Sequence, residues 1–343
     1  MRVCVLGAGG LGSLVGARLA ESGADVTLIG RPAHVEAIRR NGLRIDGIRG
    51  PSVVHDRLRA VADPADAEGS FDYLLLTVKT SDTAGALAGA DALRTNAGAA
   101  LSLQNSVTKD TRLAQWIGAD RVIGASTTES ATLVEPGRVR HTGTAPVAFY
   151  FGEFDGALSA RVERLAAAFR DAGFGSAATE FITAVEWEKL LQAALMATFS
   201  ITAVGFLPDR TITEALQTRP GAEHYVQLAT ELLTVYRALG FTPRDYFAPY
   251  AQFCALAEDD FGRSVERAMA LGRAMAERGV RGRPSMHDDL LRHRRTEVGE
   301  SVGEFVSAAA RLGIAAPTLA AAHRIIRCYE LMVTEEVPVD VHC

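Results

Sequence analysis

The sequence predicts an α/β domain built on a parallel sheet, followed by an all-helical domain. Short apolar runs alternate with amphipathic stretches in the first half, and strand patterns nearly vanish after residue 180. A glycine-rich segment directly after the first apolar run is the third observation. Because 343 residues are ample for two domains, we assign residues 1–178 to the α/β domain and residues 179–335 to the helical domain.

The strands of the first domain are predicted from continuous, partly β-branched apolar runs, which are typical of parallel strands buried on both faces. These runs cover residues 3–6, 25–29, 73–78 and 99–103. Residues 11–22, between the first two runs, carry a helical pattern, so the chain is predicted to begin with a βαβ unit.

Farther along the first domain, residues 122–153 are rich in Thr, Val and Gly and contain a Glu-Pro-Gly turn at 135–137. This composition predicts antiparallel strands that close the sheet. A helix is predicted to follow at residues 158–172. Helices of the second domain are predicted at residues 180–198, 224–239, 246–256 and 286–312.

Composition and charge exclude several classes of protein. The net charge of -5 argues against a general nucleic-acid binder, and we interpret the basic run at residues 278–283 as a solvated loop, with a phosphate or partner contact as the alternative. The four cysteines are scattered without a CxxC, which favours a cytoplasmic protein. Because there is no apolar stretch of about 18 residues and the first apolar run is too short for a signal peptide, no membrane association is expected.

Residues 7–12 read Gly-Ala-Gly-Gly-Leu-Gly, a GxGxxG pattern between a predicted strand and a predicted helix. In such a pattern the first glycine permits a tight turn, the second lets the backbone approach a pyrophosphate, and the third allows close packing of helix and strand. The free N–H groups and the dipole of the helix N-terminus favour phosphate. We therefore predict a dinucleotide site at Gly7, Gly9, Gly10, Leu11 and Gly12.

The end of the second predicted strand indicates which dinucleotide is bound. Sites for NAD place an acidic residue about 20 residues on, where it accepts from the ribose 2′-hydroxyl. This chain has Gly30 and Arg31 at that point. A guanidinium favours a 2′-phosphate and Gly30 leaves space for it, so we predict NADP(H) as the cofactor. The alternative is that Arg31 is an ordinary surface residue.

Further motifs extend this pattern along most of the chain. After GAGGLGSLVGARLAESGADVTLIGR at 7–31 come LTVK at 76–79, LQN at 103–105, GRVRHTG at 137–143, EWEKL at 186–190, SM at 285–286 and TEV at 296–298. In this order they resemble the motifs of the ketopantoate reductases (2-dehydropantoate 2-reductases). The resemblance implies a Rossmann-type domain, a helical domain like the C-terminal domain of 6-phosphogluconate dehydrogenase, and a role in pantothenate biosynthesis.

The resemblance also implies roles for individual residues. Lys189 matches the family's catalytic lysine, which makes it the general acid; by itself, a lysine in this apolar helix would be expected to extend to solvent. Glu297 would pair with Lys189 or orient the substrate, the alternative being a charge on a helix surface. Lys79 and Asn105 match positions near the nicotinamide, the ribose and the substrate, and both follow strand ends on the cofactor side of the sheet.

Ser285 is a candidate substrate contact that conflicts with an unbroken helix. Over the 12 residues from Ser285 to Glu297 such a helix would rise about 18 Å, too far for both to touch one small substrate. Either the helix breaks around residues 293–296, or Ser285 lies in a loop that folds back. Ser285 is also a passable helix N-cap.

Departures from the family motifs concern substrate recognition. The family has asparagines four and eight residues after the lysine, on the same helix face, where this chain has Ala193 and Ala197. This chain also departs from the family motifs at Ser106, which follows Asn105, and at Gly282, a position that is often asparagine in the family. We expect Ala193 to face the substrate with a methyl group in place of an amide, so ketopantoate itself is in doubt.

These observations predict an NADPH-dependent reductase of a small 2-oxo acid or ketone. The alternatives are a reductase of an imine or modified 2-oxo acid, and a non-catalytic NADP-binding sensor. No metal site is expected, and His141, His287 and His293 are acid–base candidates that can equally be structural. The helices of the second domain either support a homodimer or fill a single core.

Overall fold

The computed structural model describes residues 1–248 and 252–334. The chain forms two compact units: the first holds Met1–Lys189 together with Tyr246–Ala248, and the second holds Leu190–Asp245 and the described residues from 252 onward. The last strand ends at Ala178 and the next helix begins at Ile182, whereas the compact units divide after Lys189, inside that helix. The boundary predicted between residues 178 and 179 lies at the end of the last strand, before the point at which the compact units divide.

The first unit contains all the strands among the described residues. In chain order these strands are β1 (Arg2–Leu6), β2 (Asp25–Ile29), β3 (Leu43–Gly47), β4 (Ser52–Val54), β5 (Leu58–Val61), β6 (Phe71–Leu76), β7 (Ala97–Ser102), β8 (Gly124–Thr127), β9 (Ser130–Glu135), β10 (Arg138–Gly143), β11 (Phe149–Gly152) and β12 (Ser176–Ala178). Its helices are α1 (Gly10–Glu21), α2 (Pro32–Asn41), α3 (Thr83–Ala88), α4 (Asp91–Asn96), α5 (Lys109–Ile117) and α6 (Ala160–Asp171), and α7 (Ile182–Val204) begins in it.

The main sheet has five parallel strands in the order β5-β2-β1-β6-β7. The four strands predicted from apolar runs are confirmed, and β2 has the bounds expected for it. The edge strand β5 was missed, because it has only four residues and carries a charged Arg59. Since all five strands run the same way, their carboxyl ends share one edge of the sheet, where loops in such folds form sites.

Antiparallel pairing between residues 122 and 153 is confirmed, and Val122 adjoins the main sheet through a single parallel bridge to Ala100 of β7; the prediction that the strands of this segment close that sheet is wrong. The hairpin of β9 and β10 joins β3 and β4 in a four-stranded sheet, and β8 and β11 join β12 in a three-stranded one. The ring of Phe149 on β11 packs edge-on against Phe169 of α6, with ring centroids 4.8 Å apart. β11 and β12 therefore pack on α6, and among the described residues Val122 alone of this segment bridges to the main sheet.

Among the described residues, the second unit contains helices joined by loops and turns, and no strands. Beyond the end of α7 its helices are α8 (Ile212–Leu216), α9 (Arg219–Ala238), α10 (Phe253–Glu258), α11 (Phe261–Glu277), α12 (Ser285–Leu291), α13 (Val302–Leu312) and α14 (Pro317–Thr334). The Thr218 hydroxyl caps α9 by accepting from Gly221 N, and Pro220 fits its first turn. The solvated loop predicted at residues 278–283 contains no helix beyond the cap of α11.

Two helix predictions in the second half are corrected. The helix predicted at 246–256 is shorter, since Tyr246–Ala248 form a turn and α10 begins only at Phe253; residues 249–251 lie outside the described residues. The helix predicted at 286–312 is two helices. α12 ends where His293 adopts a left-handed φ of 54°, which lets Arg294 N bond back to Asp289 O at 2.8 Å.

Candidate active site

The glycine-rich turn joins β1 to α1 through very close backbone contacts. Gly7 has a φ of 115°, and a Cβ there would lie 2.6 Å from Val78 N. A Cβ on Gly12 would lie 2.4 Å from both Gly7 O and Thr77 Oγ1. Because side chains cannot be accommodated at such distances, both glycines are required for α1 to start directly above the end of the strand.

Gly9 and Gly10, which lie between Gly7 and Gly12, differ in the space around them. A Cβ on Gly10 would lie 2.1 Å from Ala131 O on β9, whereas the nearest atom to a Cβ on Gly9 is 4.0 Å away. Among the described residues no side chain caps α1, and its first turn has no acidic residue. The turn therefore leaves open backbone beside Gly9 and free N–H groups at a helix start, which fit the pyrophosphate of a dinucleotide.

Arg31 lies at the same edge, directly after β2. It is exposed and precedes Pro32, the first residue of α2. A Cβ on Gly30 would lie 2.8 Å from Ala8 Cβ, so this glycine is needed for contact with the glycine-rich turn. The structure thus gives Gly30 a packing reason besides the space expected for a phosphate.

The loops that carry Lys79 and Asn105 are tied together by Gln104. The Gln104 side-chain Nε2 donates to Val78 O at 2.9 Å and to Thr83 Oγ1 at 2.7 Å. Lys79 is exposed and Asn105 half-buried, and both follow neighbouring parallel strands, β6 and β7. Sequence reasoning missed Gln104 as a positioning residue, although a polar residue within the LQN motif was a usable signal.

Lys189 lies on the part of α7 that belongs to the first unit, within one turn of two buried carboxyl groups. Glu186 Oε1 accepts from Lys109 Nζ at 2.6 Å and from Ala125 N at 3.0 Å. Glu188 Oε1 accepts from Tyr246 N at 2.7 Å. These contacts hold the turn that carries Lys189 against β8 and against the Tyr246–Ala248 turn.

Charged groups are concentrated at the contact between Glu186 and Lys109. Lys109 Nζ also lies 2.5 Å from Asp110 Oδ2. Burial, opposed by the nearby ammonium, raises the pKa of Glu186 to about 8. Burial by itself would lower the pKa of Lys109, but the charges of Asp110 and Glu186 outweigh it and raise that pKa. The Lys109 ammonium is thus held between the carboxyl groups of Asp110 and Glu186.

In the second unit, the break between α12 and α13 lets Ser301 contact both the segment that follows Ser285 and the backbone of Glu297. Ser301 Oγ lies 2.8 Å from Glu297 O and 3.3 Å from Sδ of Met286, the residue after Ser285. Of the two explanations offered for the spacing of Ser285 and Glu297, the broken helix is the right one. Ser285 is the first residue of α12, and Pro284, not Ser285, is its N-cap.

Glu330 anchors the segment that contains Glu297. Its Oε1 accepts from Thr296 N at 2.6 Å and from Thr296 Oγ1 at 2.8 Å, and it is 2% exposed. Thr296 Oγ1 in turn accepts from Val298 N at 3.2 Å. The backbone on both sides of Glu297 is therefore fixed by hydrogen bonds, and no sequence pattern predicted that Glu330 takes part.

Ala193 lies one turn after Lys189 on α7 and is partly buried, while Ala197 is fully buried. The neighbouring Gln192 has a buried side-chain Oε1 with no hydrogen-bond partner among the described residues. An amide is therefore present next to Ala193, three residues after Lys189 and at a neighbouring position on α7.

The three histidines considered as acid–base groups differ in their surroundings. His287 Nε2 donates to Gly205 O at 2.8 Å and its Nδ1 accepts from Ser200 Oγ at 2.7 Å, and burial lowers its pKa, so it is a neutral structural histidine. His141 Nε2 lies 2.5 Å from Glu129 Oε1 with both side chains fully buried. His293 is exposed at the end of α12.

Residues 1–248 and 252–334 contain no group of three His, Cys, Asp or Glu side chains placed to hold a metal ion. Within the same ranges, no helix has the length and apolar character needed to cross a membrane.

A glycine-rich turn at the carboxyl edge of a parallel sheet, followed along the chain by a helical unit, defines an α/β protein with a Rossmann-type domain. The family model "Ketopantoate reductase PanE/ApbA" matches residues 3–156, and the model "Ketopantoate reductase PanE/ApbA C terminal" matches residues 182–330. The chain belongs to the ketopantoate reductase family and is an oxidoreductase. The resemblance drawn from its motifs and the predicted fold class are thereby confirmed.

Individual relatives agree with this assignment. A 2-dehydropantoate 2-reductase of Halobacterium salinarum is 32% identical over 95% of this chain and 98% of its own length, and one of Archaeoglobus fulgidus is 32% identical over 91% and 92%. The crystal structure of a 2-dehydropantoate 2-reductase from Geobacter metallireducens is 26% identical, covers 96% of this chain and 99% of its own, and has a TM-score of 0.76. A D-mandelate dehydrogenase with NADH and anilino(oxo)acetate shares the fold, at 19% identity, 97% and 99% coverage and a TM-score of 0.77.

Proposed function

We propose that this oxidoreductase is an NADPH-dependent reductase of a small 2-oxo acid or ketone, with Lys189 as the proton donor. The observation that carries the proposal is the turn of α7 around Lys189, which two buried carboxyl groups hold to other parts of the first unit. A lysine that only extended to solvent would not need its helix turn fixed in this way. Membership of the ketopantoate reductase family, in whose motifs Lys189 matches the catalytic lysine, supports a chemical role for this turn.

The cofactor is proposed to bind at the carboxyl edge of the main sheet. The open backbone beside Gly9 and the start of α1 would receive the pyrophosphate, with Gly7, Gly10, Leu11 and Gly12 shaping the turn. Arg31 would contact the 2′-phosphate, and Lys79 and Asn105 the nicotinamide and ribose side. When bound, NADPH supplies the hydride that the carbonyl carbon receives.

Lys189 and Glu297 are proposed as the catalytic pair. The ammonium of Lys189 would polarise the carbonyl oxygen and then give it a proton as negative charge develops there. Glu297 would pair with Lys189 or orient the substrate. Ser285 and Asn105 are proposed as substrate contacts, with Ala193 forming an apolar wall.

A second candidate is a reductase of an imine or of a modified 2-oxo acid. Ala193 and Ala197 favour it, because they replace the two asparagines of the family motif and remove hydrogen-bonding groups beside the lysine. The hydride and proton chemistry would be the same, and only the acceptor would change.

We further propose a cytoplasmic enzyme that works as a homodimer through its helical unit. Cys4, Cys254 and Cys328 are free thiols, which suits a reducing compartment. Several apolar side chains of the helical unit are well exposed, among them Phe206, Ile325 and Met332. Sedimentation of the purified enzyme tests the dimer directly.

The test of the function is NADPH oxidation, measured with ketopantoate, other aliphatic and aryl 2-oxo acids, simple ketones and cyclic imines. Turnover of one or more oxo acids is the expected result. Turnover of imines alone would favour the second candidate. Binding of NADPH without turnover of any compound would contradict both and indicate a cofactor-binding sensor.

A further inference from the structure

Three charged side chains of the first unit are buried together outside the predicted site. They are Lys109 and Asp110 at the start of α5 and Glu186 on α7, with side chains 2%, 8% and 6% exposed. Lys109 Nζ lies between the two carboxyl groups, 2.5 Å from Asp110 Oδ2 and 2.6 Å from Glu186 Oε1. We call these residues the α5–α7 charge cluster.

The cluster connects two of the segments that carry proposed site residues of the first unit. Lys109 follows Asn105 by four residues, and the chain between them is fixed by a turn in which Ser106 Oγ accepts from Thr108 N at 3.1 Å. Glu186 precedes Lys189 by three residues, so both project from neighbouring positions on one side of α7. A single ammonium thus joins the loop after β7 to the turn that holds the proton donor.

We propose that Lys109 is a positioning residue whose bond to Glu186 fixes Lys189 relative to the cofactor edge of the sheet. This inference rests on the proposed function, since it requires Lys189 to be the proton donor. Lys109 itself is proposed to touch neither substrate nor cofactor, and it acts through α7.

Stability alone does not explain a charged cluster at this place. Replacing a buried ion pair by apolar groups of similar volume is often neutral or stabilising, so simple packing between α5 and α7 would serve the fold equally well. What the charges add is direction, because Glu186 Oε1 must meet both Lys109 Nζ and Ala125 N. Such restraint suits a catalytic group, which has to be held within about 0.5 Å of its working position.

The experiment removes the charges while keeping the volume. In the triple variant, Lys109→Met, Asp110→Asn and Glu186→Met are combined, so that no buried charge is left without a partner. The matched control combines Arg161→Met with Glu153→Gln, which removes another ion pair of the first unit, with an Nη2–Oε2 distance of 2.6 Å. Circular dichroism and the melting temperature verify that both variants fold.

We expect the folded triple variant to lose about ten- to hundredfold in kcat, because small displacements of a catalytic group are costly. Its Kd for NADPH should stay within about twofold of wild type, and the control should keep its kcat. A folded triple variant with the kcat of the control would overturn the proposal.

The same substitutions in a Lys189→Ala background separate positioning from general damage. If the cluster acts through Lys189, the triple substitution causes no further loss of kcat there; an equal loss in both backgrounds contradicts the proposal. If the triple variant does not fold, Glu186→Asp replaces it, and a kcat equal to wild type then counts against the proposal. If Lys189→Ala keeps wild-type turnover, both the proposed proton donor and this inference are overturned. If Lys189→Ala loses turnover while the triple variant stays active, only this inference is overturned.

Discussion

The glycine-rich turn and the turn around Lys189 are both parts of the first unit, but they are held in different ways. At the glycine-rich turn the restraint is the close approach of backbone atoms, such as the 2.4 Å that would separate a Cβ on Gly12 from Gly7 O. Around Lys189 the restraint is charge and hydrogen bonding: Glu186 bonds to Lys109, 77 residues away from it, and Glu188 bonds to Tyr246, 58 residues away. The glycine-rich turn is thus encoded in a few neighbouring residues, whereas the placement of Lys189, the proposed proton donor, is encoded in pairs of distant residues.

This difference explains what the sequence could and could not predict. The glycine motif, β1 and β2 are local patterns, and they were predicted closely. The same holds for the helix predicted at residues 224–239, which overlaps α9 and buries the apolar side chains Val226, Ala229, Leu232, Leu233 and Tyr236. Such features are decided by spacing within one element.

Features decided by contacts between distant segments were missed or misassigned. Residues 122–153 were assigned to the main sheet because nothing in their own sequence shows that β10 pairs with β3. Glu186, Glu330 and Lys109 gave no signal, since a buried charge differs from a surface charge only through its partners. The break after α12 was predicted only as one of two alternatives, because it depends on one histidine in a left-handed conformation, which propensity alone does not predict.

The largest effect is expected for Lys189→Ala. Loss of a positioned proton donor should lower kcat by about 10²–10⁴, while NADPH affinity stays nearly unchanged because the cofactor edge is held independently. Steady-state kinetics and fluorescence titration measure the two quantities, with circular dichroism to verify folding. A variant with wild-type turnover would mean that Lys189 is an ordinary surface lysine.

The next prediction tests the glycine-rich turn itself, by comparing Gly12→Ala with Gly9→Ala. Gly12→Ala should lower the free energy of unfolding by about 2 kcal/mol, because the new methyl group meets backbone at 2.4 Å. At Gly9 the nearest atom would be 4.0 Å away, so that variant should keep its stability and lose NADPH affinity instead. Urea unfolding and fluorescence titration distinguish the two, and equal unfolding free energies would contradict the comparison.

Cofactor choice should show a smaller effect at the same edge. We expect NADPH to bind about tenfold more tightly than NADH, which is about 1.4 kcal/mol, because Arg31 stands where an acidic residue would select NAD. Arg31→Ala should bring the two dissociation constants together mainly by weakening NADPH. Equal constants in the wild-type enzyme would leave Arg31 as a surface residue without a role in selection.

The smallest effect concerns substrate recognition near the charge-anchored turn of α7. With a methyl group at Ala193, a substrate hydroxyl on that side lacks a hydrogen bond worth about 0.5–1.5 kcal/mol, so ketopantoate should be reduced less well than an oxo acid that is apolar at that end. Ala193→Asn should therefore raise kcat/KM for ketopantoate and lower it for the apolar substrate.

Gln192 provides the matched control for that substitution. The Oε1 atom of Gln192 has no hydrogen-bond partner among the described residues, so its amide is the one best placed to restore the missing bond, although Gln192 lies at a position on α7 that neighbours that of Ala193. If Gln192 does this, Gln192→Ala lowers kcat/KM for ketopantoate and Ala193→Asn adds little; if it does not, only Ala193→Asn has an effect. A wild-type enzyme that already prefers ketopantoate to the apolar acid, and keeps that preference in Gln192→Ala, would show that neither side chain decides the substrate.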